Sequence, residues 1–156
     1  RALAQQGAID PQRVFIRGSS AGGYTALSAL VATDLFRGGA SLYGVSDPLA
    51  LRRVTHKFEG DYLDWLIGDP QRVPERFRER APLHNAERIA APVLFLQGGQ
   101  DAVVLPEQTE SMVEALQSRG VEVQYRLYPD ERHGFRQAAN LADALERELR
   151  FYQGLL

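Results

Sequence analysis

The ten residues Phe15 to Tyr24, FIRGSSAGGY, set an apolar stub directly against a run of small residues. The stub belongs to RVFIRG (Arg13 to Gly18), which follows the Asp10-Pro11 turn and reads as a short strand. Beyond it, Gly22 to Thr33 carries Tyr24, Leu27, Ala29, Leu30 and Val31 in a pattern that suits a mostly buried helix. Two readings compete for the turn between them. It needs small residues only to pack tightly, or it holds a serine up as a nucleophile. Gly18-Ser19-Ser20-Ala21-Gly22 matches G-x-S-x-G with Ser20 at the centre. In that motif a sharp strand-to-helix turn strains the serine backbone, and bulky neighbours would clash with the adjoining chain. Chance alone produces such a match in roughly one chain in twenty of this length, so the flanking strand and helix are what give it weight.

Working outward, strand and helix signals alternate. GGASLYGVSD (Gly38 to Asp47) reads as a second strand ending at a polar turn. APVLFLQGGQD holds Val93, Leu94, Phe95 and Leu96 in an unbroken apolar run, the mark of a strand buried on both faces of a parallel sheet. PEQTESMVEALQSRG predicts a helix that begins at Pro106, turns Met112, Val113 and Leu116 inward and stops at Gly120. In VEVQYRLYP, Val121, Val123, Tyr125 and Leu127 alternate with polar neighbours, as in a half-buried strand near a sheet edge. A last helix is expected from about Gln137 to Gln153, with Leu141, Leu145, Leu149 and Tyr152 at helical spacing. Between Pro48 and Pro92 the alternation lapses, and short helices are expected there. The whole pattern predicts an α/β protein with a mostly parallel sheet flanked by helices.

A serine nucleophile needs a base, and there are three histidines. His56 and His84 fall in the irregular region and read as surface or packing residues. His133, in YPDERHGF, follows the last strand. Working groups in an open parallel sheet collect at the carboxyl ends of strands, where Ser20 and His133 are both expected. An acid should orient the histidine; Asp101 ends the VLFLQGGQD strand, and Asp47 is its rival after the preceding one. Asp130 and Glu131 read as loop carboxylates beside the histidine. The chain order Ser20, Asp101, His133 is that of the α/β-hydrolases and differs from the orders on other serine-protease folds.

GSSAGGYTAL, LYGVSD, THKFEGDYLDWLIGDP, APVLFLQGGQDAVVLPEQ and YPDERHGF together resemble the catalytic domain of the prolyl oligopeptidase family, nearest its acylaminoacyl-peptidase and dipeptidyl-peptidase-like branch. The resemblance runs over essentially the whole chain. It implies the C-terminal portion of an α/β-hydrolase fold, with residues 1–156 a partial catalytic domain and 48–91 a helical insertion. It also implies a serine peptidase acting on short peptides, with Ser20, Asp101 and His133 as the triad and no cofactor. The Ala21 N–H would be one oxyanion donor. The other, in the family, is a tyrosine from an upstream loop that this chain does not contain. Val45, Tyr62 and Val104 would line a pocket for the residue before the scissile bond, with Phe58 a further neighbour. A carboxylesterase on the same fold is the alternative, since the triad chemistry serves esters and amides alike; a non-catalytic interaction domain that kept the fold is a more distant one.

Composition narrows the partners. Hydrophobic residues make up 44% and charged residues 24%, an ordinary globular mixture, and the net charge is −2. No basic field recruits nucleic acid or an anionic membrane, and no apolar run approaches the roughly 20 residues of a membrane span. The chain has no cysteine, so disulfides, thiolate metal sites and cysteine nucleophiles are excluded, and a cytoplasmic setting is expected. RALAQQGAIDPQR has neither an initiator Met nor a signal-peptide pattern and reads like the tail of a helix under way. The chain is therefore expected to be part of a longer protein, in which RVFIRG would lie mid-sheet. Exposing that strand's edge predicts self-association, or pairing with upstream segments, and feeble activity for this piece alone.

Overall fold

Val93, Leu94, Phe95 and Leu96 are each at most 1% exposed, and their burial on both sides organises the fold. The computed structural model describes residues 1–54 and 60–156. After a short helical turn, α1 (Ala2–Gln5), come β1 (Phe15–Ser19), α2 (Ala21–Ala32) and β2 (Gly38–Leu42). Three short helices follow, α3 (Pro48–Val54), α4 (Gly60–Ile67) and α5 (Pro74–Glu79), with a 3₁₀ helix at Leu83–Arg88. The chain then forms β3 (Val93–Gly98), α6 (Pro106–Gln117), β4 (Val123–Tyr128) and α7 (Ala138–Gly154).

The four strands are all parallel and lie in the order β1-β2-β3-β4. Leu27 and Leu30 of α2, Ile89, and Met112, Val113 and Leu116 of α6 pack with Val93 and Phe95. Leu94 and Leu96 point the other way, onto Ala144 and Phe151 of α7 together with Ala40, Leu42 and Tyr128. Every crossover therefore covers one face, as a sheet winding steadily in one direction requires, and α7 covers the other. β4 is an outer strand, in keeping with its alternating pattern, and β1 is the other outer strand. Among the described residues no helix is long and apolar enough to cross a membrane.

One expectation is corrected, and one helix turns an unexpected face inward. β2 ends at Leu42 rather than running to Asp47, because Tyr43 turns to φ 40° and leaves the extended region. α7 does not bury its leucine stripe: Leu141, Leu145 and Leu149 are 42%, 66% and 56% exposed, while Ala144, Glu148 and Phe151 are buried. The rotation is fixed by Glu148. Its carboxylate accepts from Arg17 of β1 at 2.8 and 3.3 Å and from the Tyr152 hydroxyl at 2.7 Å. A buried carboxylate left without those donors would cost more than burying leucine returns.

Candidate active site

Each of the four strands delivers a residue from its carboxyl end. Ser20, between β1 and α2, has φ 54° and ψ −120°, and Tyr43 follows β2 at φ 40°. Among the described residues these are the only non-glycine residues at positive φ. Such backbone costs on the order of 1–3 kcal/mol and persists where surrounding contacts hold it. Here the Ser20 N–H donates to the Leu42 carbonyl at 2.9 Å, and the Tyr43 N–H to that of Leu96 at 2.7 Å. The turn closes because Gly18 has no side chain: a Cβ there would lie 2.0 Å from the Gly22 carbonyl oxygen. A Cβ on Gly22 would meet nothing within 4 Å among the described residues, so the steric demand of the motif falls on its first glycine in this chain.

Asp101 follows β3 with its side chain fully buried. Its Oδ1 accepts the Val103 and Val104 N–H groups, both at 2.9 Å. Its Oδ2 lies 2.8 Å from His133 Nδ1, and His133 Nε2 lies 2.8 Å from Ser20 Oγ. A carboxylate held by this many donors acts as acceptor, so Nδ1 carries the imidazole proton and Nε2 accepts from the serine hydroxyl. The Tyr43 ring meets the imidazole edge-on at 5.0 Å, backed by Phe135 at 5.3 Å. Both strained residues thus flank one imidazole. Ala21 is the first residue of α2, and helix geometry leaves its N–H without an intrahelical acceptor, at the positive end of the helix dipole.

The loop carrying His133 lies close against the turn carrying Asp101. A Cβ on Gly98 would lie 2.3 Å from the Arg132 carbonyl oxygen, and the Gln100 N–H donates to the Glu131 carbonyl at 2.8 Å. The Glu131 side chain, buried rather than a loose loop carboxylate, accepts from the N–H groups of Arg136 and Gln137 at 2.9 Å and from the Asn140 amide at 3.0 Å. Burial alone would push that carboxyl up, but the three donors outweigh it and hold it below the ordinary glutamate range. A depressed folded value adds stability that is complete at neutral pH and fades as pH falls below about 4.3, the unfolded value, towards the folded one. Glu131→Gln is therefore expected to cost about 1–3 kcal/mol at pH 7 and to flatten the acid limb of stability; urea unfolding from pH 7 to 3 checks both.

The remaining candidates lie elsewhere. Asp47 caps the start of α3, accepting from the Leu49 and Ala50 N–H groups at 2.8 and 3.2 Å, and its other oxygen lies 3.7 Å from His84. His56 and Phe58 fall outside the described residues. Of the expected pocket residues, Val45 and Val104 are 7% and 1% exposed in the packed interior, whereas Tyr62 is 57% exposed on α4, stacked on Trp65. Gln97, Thr109 and Tyr43 were not singled out by the sequence. Gln97 could have been, since a polar side chain closing an apolar strand must find buried partners.

Loops at the carboxyl ends of parallel strands, with the serine raised on a strand-to-helix turn, define an α/β-hydrolase. The chain belongs to the prolyl oligopeptidase family, whose model matches residues 1–156. It is 33% identical over 142 residues to dipeptidyl aminopeptidase BIII of Pseudoxanthomonas mexicana, covering 87% of this chain and 21% of that protein. Among solved structures it superposes on a puromycin-hydrolyzing peptidase of Mycobacterium tuberculosis with TM-score 0.96 and 43% identity, over 99% of this chain and 24% of that one. An acylaminoacyl peptidase in complex with Z-Gly-Gly-Phe-chloromethyl ketone gives TM-score 0.86 and 26% identity, over 97% of this chain and 25% of that one. The chain thus spans about a fifth to a quarter of these relatives' length.

Proposed function

We propose that this chain carries the catalytic triad of a serine peptidase that hydrolyses short peptides. The observation that supports it most is the unbroken hydrogen-bonded line Ser20–His133–Asp101, ending on a serine held at φ 54°. Ser20 Oγ attacks the peptide carbonyl carbon while its proton passes to His133 Nε2. The Ala21 N–H stabilises the resulting oxyanion. Collapse breaks the C–N bond, and Nε2 returns the proton to the departing amine. Water, deprotonated by the same nitrogen, then cleaves the acyl-enzyme. Asp101 keeps the proton on Nδ1 and stabilises the imidazolium. No step needs a cofactor.

Val45, Tyr62 and Val104 are proposed to line the pocket for the residue before the scissile bond; the Val104 N–H bond to Asp101 and the place of Val45 two residues after the strained Tyr43 support that reading. The outer edge of β1 is proposed to pair with another strand, from a second copy or from elsewhere in a longer protein. Light scattering of the isolated chain should then show association, and a monodisperse monomer would rule it out. A cytoplasmic location is proposed, and the lack of cysteine fits a reducing compartment.

The test is a fluorophosphonate probe on the intact protein, with the label mapped by mass spectrometry, alongside turnover of aminoacyl nitroanilides and short acyl esters. Labelling at Ser20 with faster nitroanilide turnover is expected. Ester turnover alone would make the protein an esterase, and an unlabelled Ser20 would remove the catalytic reading.

A further inference from the structure

We propose that Gln97 is a positioning residue for the triad, fixing the Asp101 carboxylate through an amide whose orientation is set together with Thr109; this rests on the serine-hydrolase reading of the site. Gln97 lies in β3 and is 0% exposed. It lies on the same side of the strand as Val93 and Phe95, the side covered by α6. Its Nε2 faces three acceptors: the Gly98 carbonyl at 3.2 Å, Asp101 Oδ2 at 3.3 Å and the Val104 carbonyl at 3.2 Å. Its Oε1 accepts from the Thr109 hydroxyl of α6 at 2.7 Å.

Only one orientation of the amide satisfies this set. Reversed, Oε1 would point at three oxygens that cannot donate, in a site without water-like dielectric to soften the repulsion. The amide therefore clasps both ends of the turn that carries Asp101, at Gly98 and at Val104, and touches the carboxylate between them. Oδ1 is already held by two backbone donors. On Oδ2, Gln97 is the only donor besides His133 among the described residues. Without it, Oδ2 would be held by the imidazole alone, and only the two bonds to Oδ1 would fix the carboxylate. Thr109 ties this clasp to α6, so the helix sets the amide, the amide the carboxylate, and the carboxylate the ring.

The experiment compares variants of the intact protein in peptide turnover. Gln97→Met, of similar length but without a donor, should lower kcat by about 10–100-fold with KM within about twofold, as a displaced reactive group does. Thr109→Val should lower kcat by a smaller factor and Thr109→Ser should restore it. In the Gln97→Met background, Thr109→Val should add nothing, because both act through one amide. An unchanged kcat in Gln97→Met, or losses that multiply in the double variant, would overturn the proposal. If Gln97→Met does not fold, the Thr109 pair decides: equal rates for Val and Ser would overturn it. A second readout needs no turnover: the downfield proton resonance of the His133–Asp101 hydrogen bond should shift in Gln97→Met, and an unmoved resonance counts against the clasp. Ser20→Ala separates the two failures. If it leaves turnover intact, the serine-hydrolase reading falls, while the resonance still decides what Gln97 does to Asp101.

Discussion

Ser20→Ala is expected to lower kcat about 10⁶-fold and to abolish fluorophosphonate labelling, while leaving the fold intact. The size follows from the way a triad works as a unit: once the nucleophile is gone, base and acid have nothing to activate, and only binding and the oxyanion donor remain. The fold should survive because, among the described residues, the serine hydroxyl makes a single bond, to His133 Nε2, and alanine is the smaller side chain. Asp101→Asn should follow at about 10⁴-fold, for a reason visible in the donors around it. The Val103 and Val104 N–H groups demand an acceptor at Oδ1. The new amide must therefore turn its nitrogen towards His133 Nδ1, and the imidazole moves its proton to Nε2, where it can no longer accept from Ser20. Residual turnover in Ser20→Ala within tenfold of the parent would mean that another group does the chemistry.

Gly18→Ala should be the most damaging small substitution for stability, about 3 kcal/mol or more, or a fall in Tm of about 6–12 °C for a chain of this size. The added methyl would sit 2.0 Å from a backbone oxygen and 2.2 Å from its carbon, both of Gly22. Neither can swing aside as a side chain would, because Gly22 is held in α2. Gly22→Ala is the control. Its methyl meets nothing within 4 Å, and replacing a helical glycine by alanine returns up to about 1 kcal/mol. Thermal unfolding of the two variants side by side distinguishes them; equal losses would mean that the turn does not close on Gly18.

What the sequence made legible were the features that rest on local rules. Val93 to Leu96 announced a strand buried on both faces, and Ser20, Asp101 and His133 announced themselves by type, order and place at strand ends. Features that depend on what lies across the sheet were not legible. The leucines of α7 form the more apolar stripe, yet the helix turns Glu148 inward because Arg17, far away in sequence, is there to meet it. Tyr43 at φ 40° has no local signature, since tyrosine is not a residue that favours this region. Glu131 is a different case: its donors lie only five to nine residues further on, but they meet it through the turn into α7 and not at a spacing that a sequence rule describes.

The triad joins positions 113 and 32 residues apart, and its histidine arrives behind an outer strand. No portion of the chain short of β4 holds nucleophile and base together. A nascent chain threading past its own serine is thus in no danger from it: until the last strand docks there is a hydroxyl on a bend and nothing to deprotonate it. The order of the strands thus makes the meeting of nucleophile and base wait on the last of the four strands.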